Sequence, residues 1–245
     1  TIIADRTLPA DDVDPISIEK GEKIIAASSL HRKSTPKYII FITKNGMVKK
    51  SYLNEYTQSS RGGGLQAIKI KDNDEVNDIL FQDDEDIVII TELGMALRIS
   101  TADMAAVGRV AMGLKGIKLN SGDAVSQTLS VTLAIITSDG QGKKIDLTEI
   151  NKQGRNTKGI TVAKVEIDKC VIGAALVSDD DNILINGASN SICISAKDIP
   201  LLGRTALGNI GRYLHMLGVI LVNIYVLPRI KDTLQTDVVV GLFRI

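Results

Sequence analysis

At 245 residues, 44% hydrophobic and 24% charged, the chain is long enough to bury a core and fits a soluble, compact protein of one or two domains. Lys plus Arg and Asp plus Glu each total 29, so no global charge announces nucleic acid or a membrane surface, and any electrostatic function has to be local. Cys170 and Cys193 have no CxxC spacing and His31 lies far from His215, which argues against a disulfide or metal site, and no cofactor is expected.

At the N-terminus, Asp5, Arg6, Asp11 and Asp12 stand where a signal peptide would be basic and then apolar, and Thr1 rather than Met heads the chain. A cytoplasmic protein, and a piece of something longer, is expected. The segment ISIEKGEKIIAA from Ile16 matches IKIKDNDEVNDI from Ile68 and IKLNSGDAVSQT from Ile117, so residues 1–34 read as the back end of a repeating unit. Full copies follow over about 38–79, 86–128, 132–174 and 181–224. They open on YIIFITKNGMVKK, DIVIITELGMALR, TLAIITSDGQGKK and DNILINGASNSIC, each an apolar run, a polar turn and a second short run. The turn glycine falls at Gly46, Gly94 and Gly140, with Ser189 in the last copy, a period of 46 to 49 residues. A constant period of this size predicts one modular domain over 1–245 that works through a surface summed over its units.

Inside a unit the order is constant. The first runs, 39–43, 87–91, 133–137 and 183–185, are β-branched and almost wholly apolar, which predicts strands buried on both faces. Asn45-Gly46 and Asp139-Gly140 accept positive φ and predict tight hairpins. Basic residues follow at Lys49-Lys50, Arg98 and Lys143-Lys144, with Cys193 in the fourth copy, and then an acid at Glu55, Asp103, Glu149 and Asp198. Ser100, Asp146 and Ser195 stand three residues before such an acid, the spacing of a capping box, so a single capped helical turn is expected. Recurrence at one structural place assigns these acids to architecture rather than to metal or acid–base chemistry.

A glycine–arginine element comes next: Arg61 before three glycines, then Gly108-Arg109 with Gly113 and Gly116, Gly154-Arg155 with Gly159, and Gly203-Arg204 with Gly208 and Gly211. Glycine permits a left-handed or closely approached backbone, and arginine offers a planar fork for an anion such as phosphate. Alternation over 67–70, 116–119 and 162–165 predicts a third strand with an outward lysine in the first three copies. The acidic run at 179–181 reads as a solvated turn rather than a cation site, and with the run at 83–86 it means that a basic surface cannot be uniform. The apolar stretch 214–227 is shorter than the ~20 residues of a spanning helix and contains Gly218 and Asn223, so it reads as strand and no membrane partner is expected. VVVGLFRI over 238–245 adds a closing strand, predicted to meet the N-terminus and hide the edges of a circular array.

The combination TKNGMVKK from Thr43, MALRI from Met95, VGRVAMGLKGIKL from Val107 and QGRNTKGI from Gln153 resembles the C-terminal domain of the DNA gyrase A subunit, with the related subunit of topoisomerase IV a close second. This resemblance implies an all-β fold, a β-pinwheel: a propeller-like disc of four-stranded blades, here four repeats plus a partial one. It implies a non-catalytic domain whose basic rim bends double-stranded DNA by backbone contact, alongside the other domains and subunits of a type IIA topoisomerase complex. By position in the repeats, it carries DNA contact onto Lys49, Lys50, Arg61, Arg98, Arg109, Lys115, Lys118, Lys143, Lys144, Arg155, Lys158, Lys164, Arg204 and Arg212. Wrapping without base readout needs this kind of phosphate neutralisation over a curved surface. The gyrase box Q-R-R-G-G-K-G is represented only by Ser59-Ser60-Arg61-Gly62-Gly63-Gly64-Leu65, which leaves gyrase-style chiral wrapping open.

No catalytic constellation is legible. Tyr213 follows Arg212, as in a topoisomerase nucleophile, but lies in a repeat and reads as structural, and the triple glycine lacks the Lys-Ser/Thr of a phosphate-binding loop. The competing reading is a protein-interaction scaffold with a decayed DNA rim, which needs only an exposed apolar or mixed patch.

Overall fold

The computed structural model describes residues 2–3, 24–30, 36–57, 65–71, 73–129, 133–177, 179, 181–187, 191–208, 221–227 and 239–244. In chain order the strands are β1 (Ile2–Ile3), β2 (Ile24–Leu30), β3 (Tyr38–Thr43), β4 (Met47–Tyr52), β5 (Val76–Gln82), β6 (Asp86–Thr91), β7 (Met95–Ser100), β8 (Leu114–Lys115) and β9 (Val125–Leu129). They continue as β10 (Leu133–Thr137), β11 (Gly142–Ile145), β12 (Ile160–Thr161), β13 (Val171–Leu176), β14 (Asn182–Gly187), β15 (Ser191–Ser195), β16 (Leu221–Leu227) and β17 (Val239–Arg244). The chain divides into two compact units: Thr1–Asp84 with Ala102–Leu114 and Asp232–Ile245, and Glu85–Thr101 with Lys115–Lys231. No helix among the described residues is long and apolar enough to cross a membrane.

In the first unit, the sheet of order β5-β3-β4-β8 places the apolar run β3 between two partners. All six of its residues are buried, and Ile39 and Phe41 pack with Leu53, Tyr56, Ala67, Val76 and Ile79. A second sheet, β1-β17-β2, sets the C-terminal strand between the two N-terminal ones, with Ile2 opposite Phe243 and Val239 opposite Leu30. In the second unit the sheets are β12-β7-β6-β9, β11-β10-β13 and β15-β14-β16. Here β6 and β10 again lie between partners with 87–91 and 133–137 wholly buried, whereas β14 buries Ile183 and Ile185 and leaves Asn182 exposed.

The turn after each first run has one construction. Gly46, Gly94 and Gly140 donate to the carbonyls of Thr43, Thr91 and Thr137 at 2.9, 3.0 and 2.9 Å, and the same threonine hydroxyls accept from Met47, Met95 and Gln141 at 3.0, 3.2 and 3.2 Å. Only the glycine takes positive φ (79°, 77° and 83°). The expected hairpins therefore form, but through a type I turn closed by a left-handed glycine rather than through an Asn-Gly pair with both residues at positive φ.

The expected third strand does not form over 67–70, 116–119 or 162–165. Residues 67–70, 116–119 and 162–165 keep the alternation, with Ala67, Ile117 and Val162 buried and Lys69, Lys118 and Lys164 exposed, yet no ladder forms there. Their N–H groups reach loops rather than strands: Lys69 to the Ala111 carbonyl at 3.3 Å, Lys118 to that of Thr157 at 2.9 Å, and Val162 to that of Gly94 at 2.8 Å. The outer places of the first two complete sheets go to β8 and β12, short strands from the following repeat.

Candidate functional site

Four lysines expected on the outer face are inside. Lys49 is 1% exposed, Lys50 3%, Lys143 3% and Lys144 8%. The Lys49 ammonium donates to the carbonyls of Ala67 (2.6 Å) and Arg109 and lies 3.4 Å from the Tyr56 hydroxyl. Burial pushes its pKa down to about 8. The Lys143 ammonium donates to the carbonyls of Gly203, Arg204 and Ala206 at 3.2, 2.6 and 2.8 Å, and burial lowers its pKa as well. Lys50 pairs with Asp84, its ammonium 3.9 Å from the Tyr38 ring centroid, and Lys144 pairs with Asp179. The lysine bond holds the Asp179 carboxyl below its usual range. Arg98 stands at the position of Lys50 and Lys144, with Nε donating to Asp86 at 3.0 Å; Lys152 meets the same carboxylate at 2.8 Å. Burial works to raise the Asp86 pKa, but these two cations outweigh it and lower it. Acids of both runs therefore serve as counter-ions to the inner cations, so that the 179–181 run is not merely a solvated turn. Lys49, Lys50, Arg98, Lys143 and Lys144 face acids or carbonyls instead of an external anion.

The glycine–arginine elements act as straps across the second strand of the preceding repeat. Val107, Gln153 and Leu202 each donate at 2.9 Å to the carbonyls of Lys50, Arg98 and Lys144. A Cβ on Gly113, Gly159 or Gly208 would meet the backbone at Val48, Ala96 or Gly142 at 2.8, 2.3 or 2.6 Å, three equivalent positions. The trailing glycine is thus required by close approach, whereas a Cβ added to Gly108, Gly154 or Gly203 would meet nothing within 4 Å. The repeated acids also work here. Glu55 accepts from the Arg109 N–H at 3.2 Å and Glu149 from the Arg204 N–H at 3.0 Å. Asp146 and Ser195 do cap 3₁₀ turns, Leu147–Glu149 and Ala196–Asp198, but no such turn follows Ser100.

The straps carry the outward cations. Lys118, Arg155, Lys158 and Lys164 are exposed, Arg109, Lys115 and Arg204 half-buried, and none of the first four forms an ion pair among the described residues. In the second unit these residues are neighbours. Residues Ile117 and Thr157 bridge in parallel, and Asn156, at φ 64°, donates to the Gly116 carbonyl at 2.7 Å. That lays 116–118 beside 156–158, and Arg204 Nη1 reaches the Thr161 carbonyl at 3.3 Å. Lys69 belongs with Lys118 and Lys164 by position and exposure; the alternation marks it as outward, although the resemblance does not carry DNA contact onto it. Arg61 and Arg212 lie outside the described residues, as does Tyr213. Among the described residues no group of acids, histidines and cysteines could hold a metal ion.

Residues 37–83, 85–132 and 131–171 match the family model "DNA gyrase C-terminal domain, beta-propeller". The chain is 34% identical over 203 residues to the DNA gyrase A subunit of Lawsonia intracellularis, covering 79% of this chain and 25% of that protein. To the DNA gyrase A subunit of Mycobacterium bovis it is 29% identical over 202 residues, 79% of this chain and 24% of that protein. It thus spans about a quarter of the length of these relatives. A crystal structure of the C-terminal domain of DNA topoisomerase IV superposes with a TM-score of 0.72 at 26% identity, over 78% of this chain and 61% of that one. The fold is the all-β pinwheel of these domains. With its repeats matching the family model over more than half of its length, the chain belongs to the DNA gyrase C-terminal domain, beta-propeller family.

Proposed function

We propose that this chain is a non-catalytic DNA-binding and DNA-bending domain of a cytoplasmic type IIA topoisomerase, gripping duplex backbone through the outward cations of its straps. The contact set is Lys69, Arg109, Lys115, Lys118, Arg155, Lys158, Lys164 and Arg204, with Arg61 and Arg212 in the corresponding sequence positions. Its partners are double-stranded DNA and the remaining domains and subunits of the enzyme. The observation that carries this reading is the sorting of charge: cations beside the acidic runs are neutralised inward, while Lys118, Arg155, Lys158 and Lys164 point outward with no acidic partner among the described residues. Phosphate contact at several such points gives affinity without base readout.

The test is a salt titration of binding to a non-specific duplex. If the eight described cations of this set engage phosphate, log affinity falls against log salt with a slope of roughly −7. Binding indifferent to salt, or absent at low salt, rejects the reading. One observation favours a protein-interaction scaffold instead: Val110, Met112 and Leu114 are 63%, 37% and 49% exposed, at alternate positions on one strap. Salt-insensitive capture of another protein, lost in Val110→Ser/Met112→Ser, would favour that second reading.

A further inference from the structure

Two of the strap arginines are held at both ends of their own backbone by the preceding repeat. The Arg109 N–H donates to Glu55 at 3.2 Å while its carbonyl accepts from Lys49. Arg204 repeats the arrangement, its N–H 3.0 Å from Glu149 and its carbonyl 2.6 Å from Lys143. In both cases lysine and glutamate are six residues apart, flanking the end of the second strand. The intervening repeat has Leu97 and Asp103 at those places, and among the described residues neither bonds to Arg155. One pair, Lys143–Glu149, combines a buried ammonium with an exposed carboxylate, so the acid stands in solvent close to an arginine proposed to meet phosphate.

We infer that Glu149 with Lys143, and Glu55 with Lys49, are positioning residues that fix Arg204 and Arg109 for phosphate contact, so that here an acidic side chain strengthens DNA binding. The inference rests on the DNA reading above. Its sign is diagnostic, because by charge alone a carboxylate near phosphate opposes binding and its removal tightens the complex. A fixed strap arginine meets phosphate without first being ordered, and a loosened one loses part of that contact.

The experiment is fluorescence anisotropy of the 245-residue chain with a labelled non-specific duplex at low salt, on Glu149→Ala, Arg204→Ala and the double variant. Glu149→Ala should weaken binding about fivefold, the loss of about one screened charge-assisted contact. It should have no effect in the Arg204→Ala background, and Glu149→Gln, which keeps an oxygen acceptor, should recover most of the affinity. Tightening, no change, or an equal loss in both backgrounds overturns the inference. Arg155→Ala separates the two levels, since it touches neither pin. If it weakens binding while Glu149→Ala does not, only the positioning role falls; if the unaltered chain shows no salt-dependent binding, the DNA reading falls and takes this with it. Thermal melting checks that the exposed Glu149 substitution leaves the fold intact, and Glu55→Ala against Arg109→Ala repeats the cycle should it not.

Discussion

Lys49 shows how little a residue type says about its task. Its ammonium sits among the Ala67 and Arg109 carbonyls and the Tyr56 hydroxyl, with the Phe41 ring centroid 5.5 Å away, and burial brings its pKa from 10.5 to about 8. Between those two values the unfolded chain binds a proton that the folded chain has released, so this residue makes unfolding free energy rise with pH across that window. Urea denaturation should therefore show the unaltered chain gaining stability relative to Lys49→Met from pH 8 toward 10.5; an offset that does not change with pH would contradict it. Tyr56, raised to about 12 by burial, acts in the opposite sense above its ordinary value but is common to both proteins. Glycines separate just as sharply. Gly159, at φ 72°, would place a Cβ 2.3 Å from the Ala96 carbonyl oxygen, while Gly154 has nothing within 4 Å. Gly159→Ala should cost about 2–4 kcal/mol and Gly154→Ala less than about 0.5, measured by chemical denaturation. Equal costs would show that the close approach does not govern the motif.

The strap is the element that joins fold to site, and it belongs to no ladder of its own repeat. Its entry is fixed by the amides of Val107, Gln153 and Leu202, each bonded to a second-strand carbonyl at 2.9 Å. Native-state hydrogen exchange should find these three amides protected although none lies within a strand, while exposed turn amides exchange freely. Fast exchange at all three would mean the straps open independently of the sheets. Much of the repeat is legible in the sequence because its causes are local. Apolar β-branched runs specify doubly buried strands, and Thr-x-x-Gly supplies both the hydroxyl and the left-handed residue of the turn. The fate of the third strand is not legible. Ala67-Ile68-Lys69-Ile70 alternates like a strand, but alternation reports one covered face and leaves open whether a ladder or a loop supplies the hydrogen bonds. The recurrence of the acids does signal architecture, yet Glu149 binds a strap rather than completing a capping box, and Glu55 binds one too, partnerships made across more than fifty residues.

For the molecule as a whole, a zero formal charge hides a division of labour. Lys50, Arg98 and Lys144 are matched by Asp84, Asp86 and Asp179, so their charges cancel within the fold. The proposed grip on DNA then depends on a minority of cations, and the phosphate contacts should be countable. Arg155→Ala, Lys158→Ala and Lys164→Ala should each lower the salt slope of duplex binding by about one, whereas Lys50→Gln and Lys144→Gln leave it unchanged. A slope that falls with the inner pair and not with the strap residues would reverse the assignment. The repeat, its period, its central strands and its turns are all written in the amino-acid order, since each follows from residues adjacent along the chain. Which basic residues face outward is a property of the folded molecule alone. A lysine goes inside when carbonyls far away in the chain converge on its ammonium, as the Arg109 carbonyl does on Lys49 sixty residues before it, and no local pattern carries that information.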